Sequence, residues 1–172
     1  MKIEDFRNKT PKFVFEDYFS GETRAWGIVS DRFGNIRRQF SVDMNGHWDG
    51  NILTLNEKFS YDDGEIDLRE WKVHKFNANT YEGTASDVVG KAVGTSFGNA
   101  LNWRYTLALE IGGRVWNISF DDWMILQNDG VLFNRAEMRK FGIKIGEISL
   151  FFRKHETGID GRGDQSYVAA AE

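Results

Sequence analysis

The chain has 172 residues, 22 Lys+Arg against 26 Asp+Glu for a formal net charge of -4, and no cysteine. This length suits one domain with a core that needs no staples, and the missing cysteine excludes disulfides, thiolate metal sites and cysteine nucleophiles. The acidic balance gives no electrostatic basis for a nucleic-acid partner, and no apolar run approaches the roughly 18 residues of a spanning helix.

Aromatic residues make up 15% of the chain, with 18 Gly and 1 Pro, where about 5% Pro is usual. Aromatics suit strands, glycines suit tight turns, and a near absence of proline suits a backbone whose N–H groups are used in ladders. Phe13, Phe15, Tyr18 and Phe19 come first, with one possible helical turn at Glu16–Ser20, and are placed to plug one end of whatever follows. Strands are expected at Thr23–Asp31, Asn35–Met44 (ended by Asn45-Gly46), Asn51–Tyr61 and Glu65–Phe76. Shorter ones follow at Thr80–Val89 and Lys91–Phe97, then Ala100–Ile111, Arg114–Asp122, Val131–Met138 and Ile143–Lys154. Residues 1–155 form one expected domain. Residues 156–172 are polar and glycine-rich and lack the apolar content to pack, so a disordered tail is expected there.

Two hairpins fix side-chain register. With Gly112-Gly113 as a two-residue turn, Leu109 opposes Trp116, Leu107 opposes Ile118, Tyr105 opposes Phe120 and Trp103 opposes Asp122. Opposed residues share a face, and this one is apolar until its last pair; Asn102 and Arg104 fall on the outer face. With Asp62-Asp63-Gly64 as a three-residue loop, Leu53 opposes Val73, Leu55 opposes Trp71 and Glu57 opposes Arg69. An acid–base pair therefore sits on an otherwise apolar face. About ten strands in nearest-neighbour order leave open edges unless the sheet closes, so the expected fold is an all-β, up-and-down antiparallel β-barrel, lipocalin-like in kind. Polar residues on its outer face argue against a barrel that sits in a membrane.

A set of motifs carries a resemblance. It includes Phe15-Glu16-Asp17-Tyr18-Phe19-Ser20-Gly21, Asp31-Arg32-Phe33-Gly34, Arg69-Glu70-Trp71, Tyr81-Glu82-Gly83 and Asp87-Val88-Val89-Gly90. It continues through Gly98-Asn99-Ala100-Leu101-Asn102-Trp103, Asp121-Asp122-Trp123-Met124 and Asn134-Arg135-Ala136. Over residues 13–153 the chain resembles DUF3833, a bacterial family of unknown function whose members are often described as lipoproteins. The resemblance implies a fold and no established activity. Family lipoproteins need a signal and an acylated cysteine, and this chain has neither, so a cytoplasmic location is expected. A looser similarity is to lipocalin-like barrels, which carry Gly-x-Trp on the first strand and an Arg on the last; here Trp26 stands in Ala25-Trp26-Gly27, so the Gly-x-Trp is missing, and Arg153 is a possible cation–π partner.

Glu57 and Arg69 are the leading candidate site. In one reading Arg69 meets the head group of an amphiphile while Glu57 holds it; in the other the two form a structural ion pair. Trp71, Trp103, Tyr105 and Phe120 line the same face, and Asp122 is expected at the rim beside Trp103, as a ligand contact or as a turn cap. Arg135 is a possible partner for Asp122 or Glu147. Inward Gly83, Ala85 and Gly94 suggest free space inside. The three histidines show no metal-ligand spacing, Asp62-Asp63-Gly64-Glu65-Ile66-Asp67 lacks the closing glutamate of a calcium loop, and no cofactor or catalytic residue is implied. The expected function is binding of a small apolar or fatty-acyl amphiphile. The alternatives are an isomerase or cyclase using interior carboxylates, and an interaction module that works through its surface.

Overall fold

The computed structural model describes residues 1–155; the tail expectation for 156–172 lies outside the described residues. Ten strands form one closed antiparallel barrel. They are β1 (Gly21–Asp31), β2 (Ile36–Trp48), β3 (Ile52–Tyr61), β4 (Ile66–Lys75) and β5 (Thr80–Thr84). The series continues with β6 (Ala92–Phe97), β7 (Ala100–Ile111), β8 (Arg114–Leu126), β9 (Leu132–Lys140) and β10 (Ile143–Lys154). Each strand pairs with its neighbours in sequence, and β1 pairs with β10 to remove the last edges. Both deduced registers hold: Glu57 opposes Arg69 in β3–β4, and Tyr105 opposes Phe120 in β7–β8.

The hairpins that follow β1 and β3 turn on aspartates. Asp31 Oδ1 accepts from the Phe33 and Asn35 amides at 2.9 and 3.0 Å, and Asp63 Oδ1 accepts from the Glu65 amide at 3.0 Å. Such side-chain bonds offer the backbone a turn in place of a longer ladder. The expected Asn45-Gly46 turn is not one. β2 runs on to Trp48, and the turn falls at Asp49, whose Oδ1 accepts from Asn51 and Ile52 at 2.8 and 2.7 Å. Gly46 serves packing instead: a Cβ there would lie 1.8 Å from the Phe19 carbonyl oxygen. β8 likewise continues past Asp122 to Leu126, so Asp122 caps no turn.

One end of the barrel is shut by helix α1 (Phe15–Phe19). Phe13, Phe15 and Phe19 are buried, and Phe15 stacks on Trp103 with ring centroids 5.9 Å apart. Tyr18 Oη lies 3.0 and 3.1 Å from the carbonyl oxygens of Gly130 and Phe152. Glu16, also buried, accepts from Tyr81 Oη at 2.9 Å and pairs with Lys75. Burial pushes its carboxyl up, but these bonds and one from its own backbone together hold it below the ordinary range.

A short 3₁₀ turn, Ile3–Phe6, packs on the outside of the wall, with Phe6 against Trp123 at 6.0 Å and Arg7 over Phe97 at 4.3 Å. Asn102 lies on the outer face of β7, as its parity requires. Its side chain does leave the lumen, but it is buried and donates to Asp121 at 2.7 Å and to the Asp122 carbonyl at 3.1 Å.

The wall has one irregular stretch. β5 ends at Thr84, not Val89, and β4 pairs with it only over Lys72–Lys75. Residues 85–91 turn at Ala85–Val88 and run beside β7, where Val89 donates to Thr106 and Ala108 donates to the Asp87 carbonyl, both at 2.8 Å. Two further expectations are corrected. Gly83 and Gly94 leave no free space, because a Cβ on either would meet the Trp103 ring at 2.6 or 2.3 Å. Trp26 faces outward, and the cation over it is Arg24 at 5.7 Å, not Arg153, which lies opposite Arg24 in the β1–β10 register.

Candidate functional site

The lumen holds a cavity of about 730 Å³ that opens at the end opposite α1. Strand parity builds it: inward residues of successive strands meet around one axis, and α1 supplies Phe15 and Phe19 as its floor. Glu57, Arg69, Trp71, Trp103, Tyr105, Phe120 and Asp122 all line it. The aromatic wall is continuous. Trp71 meets Trp103 edge-on at 5.9 Å and Tyr105 edge-on at 5.6 Å, and Tyr105 stacks on Phe120 at 4.8 Å.

The polar groups differ from the expected pair. Glu57 lies 3.7 Å from Arg69, outside hydrogen-bond distance. Arg69 is held instead by Asp87: Nε lies 3.2 and 3.0 Å from its carboxylate oxygens, and a terminal nitrogen lies 2.8 Å from Oδ2. This fork bridges β4 to the 85–91 segment where the two have no ladder between them. Asp87 escaped site reading because that segment has no strand parity to point its side chain. Its only sequence signal was the Asp87-Val88-Val89-Gly90 motif within the family resemblance.

With Arg69 engaged elsewhere, Glu57 Oε2 is sealed from solvent and has no hydrogen-bond partner. Burial pushes its carboxyl up to about 7, against the opposing pull of the Arg69 guanidinium and the Trp71 side chain.

Asp122 is not at the rim. It is buried in mid-strand, and its partner is Asn134, whose amide donates to it. Arg135 faces outward, opposite Trp123 and Ser149, because Asn134 and Ala136 take the inward positions of β9. Burial raises the Asp122 carboxyl to about 7 against the pull of the Asn134 bond. The Tyr105 phenol is pushed well above its ordinary range, by burial and then by the Asp122 charge. Asn134 Oδ1 is buried without a partner. Two elevated acids, a phenol and an unpartnered amide oxygen thus belong to residues lining one apolar chamber.

The mouth is held by a different network. Arg38 forks onto Asp63, with two contacts of 2.9 Å, and lies 3.5 Å over the Tyr61 ring. Among the described residues, no helix is long and apolar enough to cross a membrane.

The model of a family described as protein of unknown function, DUF3833, matches residues 1–154, which takes in the outer 3₁₀ turn as well as every strand of the barrel. No curated protein matches the chain. The chain belongs to the DUF3833 family.

Proposed function

We propose that this member of the DUF3833 family binds one small amphiphile inside its barrel, in the manner of lipocalin-like proteins, with an acyl or similarly apolar body along the aromatic wall. The observation that carries this is the cavity of about 730 Å³ with unpartnered polar oxygens inside it. Ligand pockets of about 300–1,000 Å³ with apolar walls and a few placed polar groups are the usual form of such sites.

The polar set also selects the head group. Arg69 is neutralised by Asp87, so it offers little to a free carboxylate. Glu57 Oε2 and Asn134 Oδ1 lack donors. The favoured head is therefore a hydrogen-bond donor: a hydroxyl, an amide N–H or an amine.

Titration of the full chain with a fluorescent acyl probe, displaced in turn by a long-chain alcohol, amide, amine and carboxylate, tests this reading. Displacement by the donor heads at lower concentration than by the carboxylate is expected, with native mass spectrometry showing one ligand per chain. Absence of any acyl binding removes the proposal.

A second reading is favoured by one observation, the Tyr105–Asp122 couple in the same lumen as Glu57. A phenol and a protonated carboxyl can steady a developing oxyanion while a second carboxylate takes a proton. Glu57 would be the base and Tyr105 with Asp122 the donors in an isomerisation of a bound carbonyl compound. Deuterium uptake from solvent into a bound ketone, lost in Glu57→Gln, would favour this reading over simple carriage.

A further inference from the structure

Five hairpin connections surround the mouth, and three neighbouring ones share a composition. β1 pairs with β10 and β8 with β9, so the β1–β2, β9–β10 and β7–β8 tips stand side by side on the rim. The first reads Arg32-Phe33-Gly34-Asn35-Ile36-Arg37 and the second Lys140-Phe141-Gly142-Ile143-Lys144. The third reads Ile111-Gly112-Gly113-Arg114-Val115. Within these stretches no residue is acidic, and the flanking acids are few: Glu110, and Asp31, whose carboxylate is used by the turn amides and Arg37. The β3–β4 tip on the other arc is the reverse, with Asp62, Asp63, Glu65 and Asp67.

The apolar residues on the three tips are turned out to solvent. Phe33 is 74% exposed and Phe141 is 88% exposed, and Ile36, Ile143, Ile111 and Val115 are exposed beside them. Phe141 also has φ of 51°, in the left-handed region that bulky residues avoid. The phenylalanine contributes no core contact and strains the turn; the Lys140 ammonium lies 5.6 Å from its ring. Arg37 is paired with Asp31, and Lys144 with Glu137 and Glu147; Arg32 and Arg114 form no ion pair among the described residues, and the Lys140 ammonium sits over the Trp116 ring.

We infer that this arc docks the barrel on an anionic lipid surface, with Phe33 and Phe141 entering the headgroup region and the unpaired Arg32 and Arg114 facing the phosphates. The geometry favours a lipid over a protein partner. The apolar groups stand on separate projecting tips, each flanked by cations, which suits a soft fluid surface better than a shaped protein groove. Interfacial binding of this kind combines buried apolar area with attraction to anionic lipid. The docked mouth would open the lumen toward the bilayer. The inference stands apart from the ligand reading, since a lumen that binds nothing would leave it intact.

The test is co-sedimentation of the full chain with vesicles of phosphatidylcholine alone and of phosphatidylcholine mixed with phosphatidylglycerol. Binding to the mixed vesicles is expected, weakened by salt and much lower on the neutral ones. Phe33→Ser combined with Phe141→Asn should weaken it by about tenfold or more. Asparagine tolerates positive φ, so Phe141→Asn alone should keep or raise the thermal midpoint while losing affinity, a pairing that a merely structural role would not give. Ile66→Ser with Leu68→Ser, also exposed but on the acidic tip, should leave binding unchanged. Failure of the wild type to sediment with mixed vesicles overturns the inference, as does equal sedimentation of the double variant. A wild-type dimer in solution that the double variant turns into a monomer assigns the rim to a second copy and overturns it too.

Discussion

Glu57 and Arg69 face each other across β3 and β4, but the contact that holds Arg69 comes from Asp87. The two acids therefore respond differently to removal. Asp87→Ala should destabilise the protein by about 2–3 kcal/mol, less than a fully buried pair because both side chains keep some exposure. Adding Arg69→Met should recover much of that loss, and urea midpoints of the singles and the double check it. Glu57→Gln goes the other way. A carboxyl raised by burial is protonated in the folded chain while the unfolded one is ionised, so stability falls as pH rises from the ordinary carboxyl range to about 7 and is flat above. Asp122 acts with the same sign over the same window. Glu57 accounts for roughly 3 kcal/mol lost by pH 8 and Asp122 for roughly 4. Glu57→Gln and Asp122→Asn should each flatten part of that slope and raise the pH 8 midpoint, as denaturation at a series of pH values would show. The facing pair was legible in the sequence, because a turn length and a period of two fix it. Asp87 was not, because no period runs through residues 85–91.

Among the elements, the glycines of the wall are placed for what lies against them. Gly46 in β2 lets the carbonyl of Phe19 approach the strand, and a methyl there meets backbone, which cannot swing away. Gly46→Ala should lift α1 from the barrel end, lowering stability by about 2–4 kcal/mol and making the floor of the lumen more accessible to quenchers of Trp103 fluorescence. Gly94 is the seat of Trp103, its cross-strand partner. Gly94→Ala should cost about 1–3 kcal/mol, and a smaller loss when combined with Trp103→Phe would show that the ring is what it meets. The sequence marked Gly94 as inward and small, and Gly46 as part of a turn. It did not mark what occupied the space, because the indole that fills it belongs to another strand. The extension of β8 past Asp122 has a similar origin: Asp121 and Asp122 read as a turn, yet each finds a side-chain partner, Asn102 outside the barrel and Asn134 within it.

At the level of the whole molecule the barrel is polarised. α1 closes one end with aromatic rings, and the other end opens among hairpin tips that are basic and apolar on one arc and acidic on the other. Between them the lumen holds a cavity of about 730 Å³ lined by apolar residues with Glu57, Arg69, Asp122 and Asn134 among them. Filling it should separate folding from binding. Ala136 lies on the cavity wall opposite Asp122, and Ala136→Phe adds volume where there is space to take it. The thermal midpoint should stay close to wild type while acyl-probe binding falls by about an order of magnitude or more. Vesicle binding should be unchanged, because the rim is untouched.

By itself the sequence determined the strand order, the two central registers and seven of the residues that face the lumen. Alternation and turn length are local quantities, and in an antiparallel meander local pairing propagates around the whole sheet. Only the tertiary structure decided which charge holds Arg69, that Asp122 lies deep with Asn134, and that an outer turn covers Asn102. It also decided that three tips far apart in the chain share one arc of the rim. Each of these is set by closure of the sheet, which brings together side chains from strands that no short-range period relates.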